Sequence, residues 1–126
     1  MEKTELRSDL VELRELVRQF VDERDWDKFH TPKNLATALS IEASELLEPF
    51  QWLVSGEKAE LSEASLTAIR HEMADVLVYL VRLADKMDVD LFQAVHEKMK
   101  LNREKYPAEK VRGDSRKYSE YKDREK

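Results

Sequence analysis

The chain has 126 residues, enough for one domain with one modest core, and its 2 Gly and 3 Pro beside 41% apolar residues favour long helices over strands and tight turns. Its net charge is −5, from 22 basic and 27 acidic residues, the opposite of the basic footprint that nucleic acid selects, so no nucleic-acid partner is expected. There is no cysteine for disulfides or thiol chemistry, no apolar run near the ~20 residues of a membrane span, and no apolar leader after Met1-Glu2-Lys3-Thr4, so a cytoplasmic setting without a membrane partner is expected.

The first helix is predicted over Thr4 to Asp25, where Leu6, Leu10, Leu13, Val17 and Phe20 repeat at 4-3-4-3 spacing. The next stretch, Arg24 to Thr31, breaks that period and gathers Trp26, Phe29 and His30. Such a composition suits either a plug for the end of the core or a binding loop. Thr31 then Pro32 reads as the cap and first residue of a second helix, with Leu35, Leu39, Leu46 and Leu53 on its core side. Pro49 is expected to kink this helix and Gly56 to close it, with a polar connection from Glu57 to Ser62.

A third helix, from Ser62 to Met87, carries Ile69, Met73, Val76, Leu80, Leu83 and Met87 in one stripe, with Leu77, Val78, Val81 and Ala84 over most of the remaining circumference. A helix apolar nearly all round is a buried one, and a single small bundle scarcely encloses it, so a second subunit is expected to cover part. Its one polar stripe is Glu72, Asp75, Tyr79 and Arg82, where chemistry is expected. Asp90 is the predicted cap of a fourth helix, whose Phe92, Val95 and Met99 lead to Asn102 and Tyr106 before Pro107 ends it. The expected organisation is an all-α, four-helix-type bundle subunit over 1–107, oligomeric, with a charged tail over 108–126 that reads by default as a mobile terminus. The tail holds Arg112, Arg116, Lys117 and Tyr118, donors able to hold phosphates, although composition alone favours reading them as ordinary surface charge.

The most pointed signal is the pairing of Glu42-x2-Glu45 with Glu72-x2-Asp75. Residues three apart share a helix face, so two adjacent helices can bring four carboxylates together. Such a group needs a cation to stay charged, and an all-oxygen donor set suits Mg²⁺ or Mn²⁺. A solvated acidic face is the bland alternative in a chain that is 39% charged. Against it, Ala38, Glu42, Glu45, Pro49 and Trp52 form a single stripe that holds Ala and Trp. A di-iron bundle site pairs each Glu with a His three residues on, and none stands there; His71 lies about 100° round the helix from Glu72.

This E-x2-E…E-x2-D pattern resembles the signature of the all-α nucleoside triphosphate pyrophosphohydrolases, the MazG-like superfamily. Arg24-Asp25-Trp26-x2-Phe29-His30-x-Pro32-x-Asn34-Leu35, Phe50-Gln51-Trp52, Asp75-Val76-Leu77-x-Tyr79-Leu80-Val81, Asn102-Arg103-x2-Tyr106-Pro107 and Ser115-Arg116-Lys117-Tyr118 are similar to its dCTP pyrophosphatase branch. The resemblance implies a dimer or dimer of dimers, Mg²⁺, and cleavage of a nucleoside triphosphate to monophosphate and pyrophosphate. It makes Glu42, Glu45, Glu72 and Asp75 the metal ligands and places the nucleotide against Trp26, Asp27, Lys28, Phe29, His30, Trp52 and Tyr79, with Asn102, Arg103, Tyr106, Arg116 and Lys117 on the basic side. Glu42 or Glu45 is the expected catalytic base. Val17 stands where the vertebrate dCTP enzymes have a pocket His, and Pro49 where they have an apolar residue. A non-catalytic nucleotide-binding or regulatory oligomer, or a purely structural one, remains open beside the enzyme.

Overall fold

The structure, a computed structural model, describes residues 8–114. Among these residues there are five α-helices and no strand: α1 (Asp9–Glu23), α2 (Pro32–Leu47), α3 (Glu63–Lys86), α4 (Leu91–Lys105) and α5 (Ala108–Val111). Short 3-10 turns at Asp27–Phe29 and Lys58–Glu60 punctuate the connections on either side of α2. None of the helices among the described residues is long and apolar enough to cross a membrane. The chain divides into two compact units, Met1–Val89 and Asp90–Lys126.

Each long helix begins at a side-chain cap. Ser8 accepts a hydrogen bond from the backbone of Val11, Thr31 from Asn34, Ser62 from Ser65 and Asp90 from Gln93, so four otherwise orphaned N–H groups are satisfied. The Ser8 cap starts α1 at Asp9, and the expected start at Thr4 lies outside the described residues. Two helices also end alike: Asp25 and Asp88 adopt left-handed φ of 52° and 57°. Behind them Trp26 N–H returns to the Val21 carbonyl at 3.1 Å and Val89 N–H to that of Ala84 at 2.8 Å. These are Schellman closures with Asp in the place usually held by Gly, which is how a glycine-poor chain stops two helices sharply.

The expected course of the second helix is corrected. It ends at Leu47 instead of kinking at Pro49 and running on to Gly56. Pro49 has no N–H for the Glu45 carbonyl, and the Glu48 N–H takes that acceptor at 3.2 Å instead. Tight turns follow, with Phe50 N–H bonded to Leu47 O and Leu53 N–H to Phe50 O, both at 2.9 Å. Gly56 sits in this connection at φ 78°, and a Cβ there would stand 2.8 Å from the Phe50 ring. Glu60 ties the segment down: its carboxylate accepts from the backbone of Val54, Ser55 and Gly56 at 2.8–3.0 Å, and these donors hold it well below the ordinary carboxylate range, at about 2.

In the first unit α3 packs against both α2 and α1. The buried residues are Val17 and Val21 of α1, Leu35 of α2, and Val81, Arg82 and Ala84 of α3. The burial expected right round α3 is absent from the protomer: Met73, Leu77, Val78, Leu80 and Met87 are all exposed. In the second unit α4 likewise exposes Phe92, Val95 and Met99, and Phe92 packs edge-on to His96 one turn along, with centroids 4.5 Å apart.

Candidate active site

Glu42 and Glu45 project from the C-terminal half of α2 and Glu72 from α3, and carboxylate oxygens of the three lie within 4.8 Å of one another. The spacing of three along α2 puts its two acids on one face, and the α2–α3 packing brings Glu72 to them. All three are half-buried. The Oε2 atoms of Glu42 and of Glu72 are buried with no hydrogen-bond partner among the described residues. Burial first, then hydrogen bonding and repulsion from Glu45 and the nearness of Glu72 and Asp75, pushes the Glu42 carboxyl up to about 7. Asp75, one turn beyond Glu72, is exposed and stands outside the three-carboxylate group, yet its charge acts on Glu42. Orphaned anionic oxygens in a crowded, all-oxygen cluster fit a hard divalent cation, which supplies the missing partner and removes the repulsion.

A second feature opens on α3 beyond the acids. A small open cleft is lined by Val17, Phe20 and Val21 of α1, by Trp26 and His30 of the α1–α2 connection, and by Val78, Tyr79 and Arg82 of α3. Phe20 and Trp26 meet edge to face with centroids 5.7 Å apart. The Arg24 guanidinium lies over the Phe20 ring, 3.7 Å from its centroid. Tyr79 follows Glu72 by seven residues, two turns or ~10 Å along the α3 axis, so acids and aromatic cleft are spaced along one helix.

Beneath the cleft Arg82 is 5% exposed and fully engaged. It donates from Nε to His30 Nδ1 at 3.1 Å, from Nη1 to Asp85 at 3.3 Å and from Nη2 to Asp27. Lys86 also donates to Asp27, at 2.9 Å, and the Lys86 hydrogen bond with the neighbouring cationic charges holds the Asp27 carboxyl below its ordinary range. Arg18 of α1 reaches Asp85 through two hydrogen bonds of 2.5 and 2.7 Å. Burial, then the Arg82 charge, pushes His30 down.

Of the expected nucleotide residues, Trp26, His30 and Tyr79 therefore line one cleft. Asp27 is held by Arg82 and Lys86, Lys28 pairs with Asp25 at 2.9 Å, and Phe29 is exposed on the 3-10 turn, its carbonyl accepting from Asn34. Trp52 is 88% exposed on the connection after α2 and does not line the cleft. Asn102 and Arg103 belong to α4 and Tyr106 caps its end, all in the second unit, whereas Arg116 and Lys117 lie outside the described residues. The sequence reasoning missed Phe20, Val21 and Val78 as cleft walls. The only signal for Phe20 was its place one turn after Val17, and the Arg18–Asp85 pair joins residues 67 apart with no sequence mark at all.

The fold and site define an all-helical protein with a carboxylate cluster between two helices and an aromatic cleft beside it. A family model described as MazG-like matches residues 37–121. The human dCTP pyrophosphatase 1 is 47% identical over 113 residues, which are 88% of this chain and 66% of the human protein. The mouse dCTP pyrophosphatase 1 is 43% identical over the same shares, so the chain spans just under two thirds of the length of these relatives. A crystal structure of a pyrophosphatase from Archaeoglobus fulgidus superimposes with a TM-score of 0.73 at 45% identity, covering 80% of this chain and 94% of that one. This chain belongs to the MazG-like family.

Proposed function

We propose that the protein is a Mg²⁺-dependent nucleoside triphosphate pyrophosphohydrolase that cleaves a dCTP-like substrate to the monophosphate and pyrophosphate, acting in the cytoplasm as a dimer or dimer of dimers without nucleic-acid or membrane partners. The observation that carries this reading is the pair of buried carboxylate oxygens, on Glu42 and Glu72, without a hydrogen-bond partner among the described residues, with Glu72 two turns, ~10 Å, before Tyr79 of the aromatic cleft on α3. The names of the human, mouse and archaeal relatives supply the reaction class.

Glu42, Glu45, Glu72 and Asp75 would hold the cation, which when bound neutralises triphosphate oxygens and lowers the pKa of water. Trp26 and Tyr79 hold the base, by stacking in the cleft, and so fix the α-phosphate near the acids. A water oxygen then bonds to the α-phosphorus as the bond to the bridging oxygen breaks and pyrophosphate leaves. Glu42 or Glu45, through a carboxylate oxygen not engaged with the cation, would take the water's proton. Basic groups at Arg103 and, beyond the described residues, Arg116 and Lys117 are the proposed phosphate donors, with Asn102 and Tyr106 beside them in the sequence. Trp52 is a further proposed base contact.

The deciding experiment is a panel of nucleoside triphosphates assayed for pyrophosphate release with Mg²⁺ and with a chelator. The expected result is Mg²⁺-dependent release, fastest with a cytosine nucleotide. A nucleotide that raises the melting temperature without being cleaved would replace the enzyme reading by a binding one.

A further inference from the structure

His30 and Arg82 together fix something more specific than a cleft wall. An arginine side chain has only donors, so the 3.1 Å contact from Arg82 Nε to His30 Nδ1 requires a lone pair on Nδ1. The ring proton is then on Nε2. A second proton, on Nδ1, would break that hydrogen bond and set a cation beside the Arg82 guanidinium and close to Lys86, with Asp27 the one opposing charge. Arg82 itself has no freedom to turn away, because Asp27 and Asp85 hold its other two nitrogens and Asp85 is in turn gripped by Arg18. Among the described residues Nε2 has no protein partner, and the ring borders the cleft.

We infer that Arg82 is a positioning residue that locks His30 as a neutral Nε2–H donor, so that the cleft recognises a hydrogen-bond acceptor on the base edge, the 2-carbonyl or unprotonated N3 of a pyrimidine. This rests on the proposed nucleotide reading for its ligand, but the locked tautomer stands independently of it. A fixed donor discriminates more sharply than an aromatic wall, because a base that presents a donor at that point leaves two N–H groups facing each other with neither satisfied. The aromatic rings favour any flat base; His30 sorts among them. Cytosine presents adjacent acceptors at O2 and N3 to Nε2–H, while uracil and thymine carry a proton on N3, a donor, between their O2 and O4 carbonyls.

The test begins on the unmodified protein. Long-range ¹H–¹⁵N correlation spectra of the histidine rings at neutral pH are expected to show His30 in the Nε2–H form alone; a doubly protonated ring or an Nδ1–H form overturns the inference whatever the activity. Adding a non-hydrolysable dCTP analogue is expected to shift the Nε2–H signal. Nucleotide turnover with an unmoved Nε2–H would sink the inference and leave the proposed function standing, whereas a locked tautomer with no nucleotide response would leave the lock and sink the function. In kinetics, Arg82→Met is expected to raise KM for the best base about tenfold, the equivalent of one hydrogen bond, with kcat little changed. It is expected to cost nothing further in a His30→Ala background. An equal loss in both backgrounds would assign Arg82 a purely structural role, and Arg82→Lys, which keeps the charge, gives the same comparison if the Met variant does not fold.

Discussion

Glu42 and Glu72 come from different helices, yet each keeps a buried Oε2 that no donor among the described residues reaches, within one cluster less than 5 Å wide. Two neighbouring carboxylates left in that condition raise the free energy of the metal-free fold, and the sign of the effect is open to measurement.

The Glu42 carboxyl is raised from an ordinary 4.5 to about 7, so the folded chain binds this proton more tightly than the unfolded one. Metal-free stability is therefore expected to fall as pH rises from about 4.5 to 7 and to level off above, and Mg²⁺ should remove that loss. Melting curves in chelator and in Mg²⁺ across this range check it. Glu42→Gln should flatten the metal-free profile and abolish the Mg²⁺ response. Glu45→Gln and Asp75→Asn are expected to end Mg²⁺-dependent turnover while leaving the helical circular dichroism unchanged.

Asp85 gives the opposite pH sign. The hydrogen bonds from Arg18, then the Arg18 and Arg82 charges, hold its carboxyl below the ordinary 3.8. The stability it contributes is complete above that value and is lost as pH falls below it. Asp85→Asn at neutral pH is expected to cost about 1–3 kcal/mol, as for a charge-assisted hydrogen bond, because it weakens the tie between α1 and α3 and leaves buried Arg82 one charged partner fewer. Urea unfolding at pH 7 and pH 3 measures this. The gap between the two proteins should shrink at the lower pH, and a gap of constant size would mean that the Asp85 charge is not its source.

Much of this was legible in the sequence because it is local. The caps at Thr31, Ser62 and Asp90 depend on residues three positions apart, and the two acid pairs depend on the helical repeat. The polar stripe Glu72–Asp75–Tyr79–Arg82 foretold that acids and cleft share α3. Where the reading failed, two local signals competed. Pro49 inside an apolar period was read as a kink, but a missing N–H at the last turn ends a helix as readily as it bends one, and tight turns won. The Asp25 and Asp88 closures carry little sequence signal because left-handed caps are usually Gly or Asn. The Arg82–His30 lock was not legible, since residues 52 apart meet only through the fold.

The exposed apolar side chains predict assembly. Met73, Leu77, Val78, Leu80 and Met87 on α3, with Phe92, Val95 and Met99 on α4, leave both units with wide uncovered faces. A protomer of this kind is expected to be at least dimeric at micromolar concentration, with a melting temperature that rises with protein concentration. Light scattering across a dilution series checks it. Replacing Met73 and Leu77 together by Glu should dissociate the assembly before it unfolds the protomer, and a wild-type protein that stays monomeric throughout contradicts the expectation.

The two tryptophans should separate when each is truncated. Trp26 lies in the cleft and packs against Phe20, whereas Trp52 is 88% exposed in the protomer and follows the end of α2, so no continuous helix carries it two turns beyond Glu45. Trp26→Ala is therefore expected to lower the melting temperature and also raise KM. Stacking on a base is worth about 1–3 kcal/mol, or roughly 5- to 150-fold in KM if it is equal in ground and transition states. Trp52→Ala is expected to leave the melting temperature of the protomer unmoved, since it removes few contacts, and to raise KM only if the indole reaches the base. Comparing both quantities for each variant with several deoxynucleotides decides between packing and recognition. If Trp52→Ala leaves KM unchanged, the cleft of Trp26, His30 and Tyr79 holds the base without it. If Trp26→Ala lowers the melting temperature while KM in the folded protein stays at the wild-type value, the cleft is a packing feature and the base binds elsewhere.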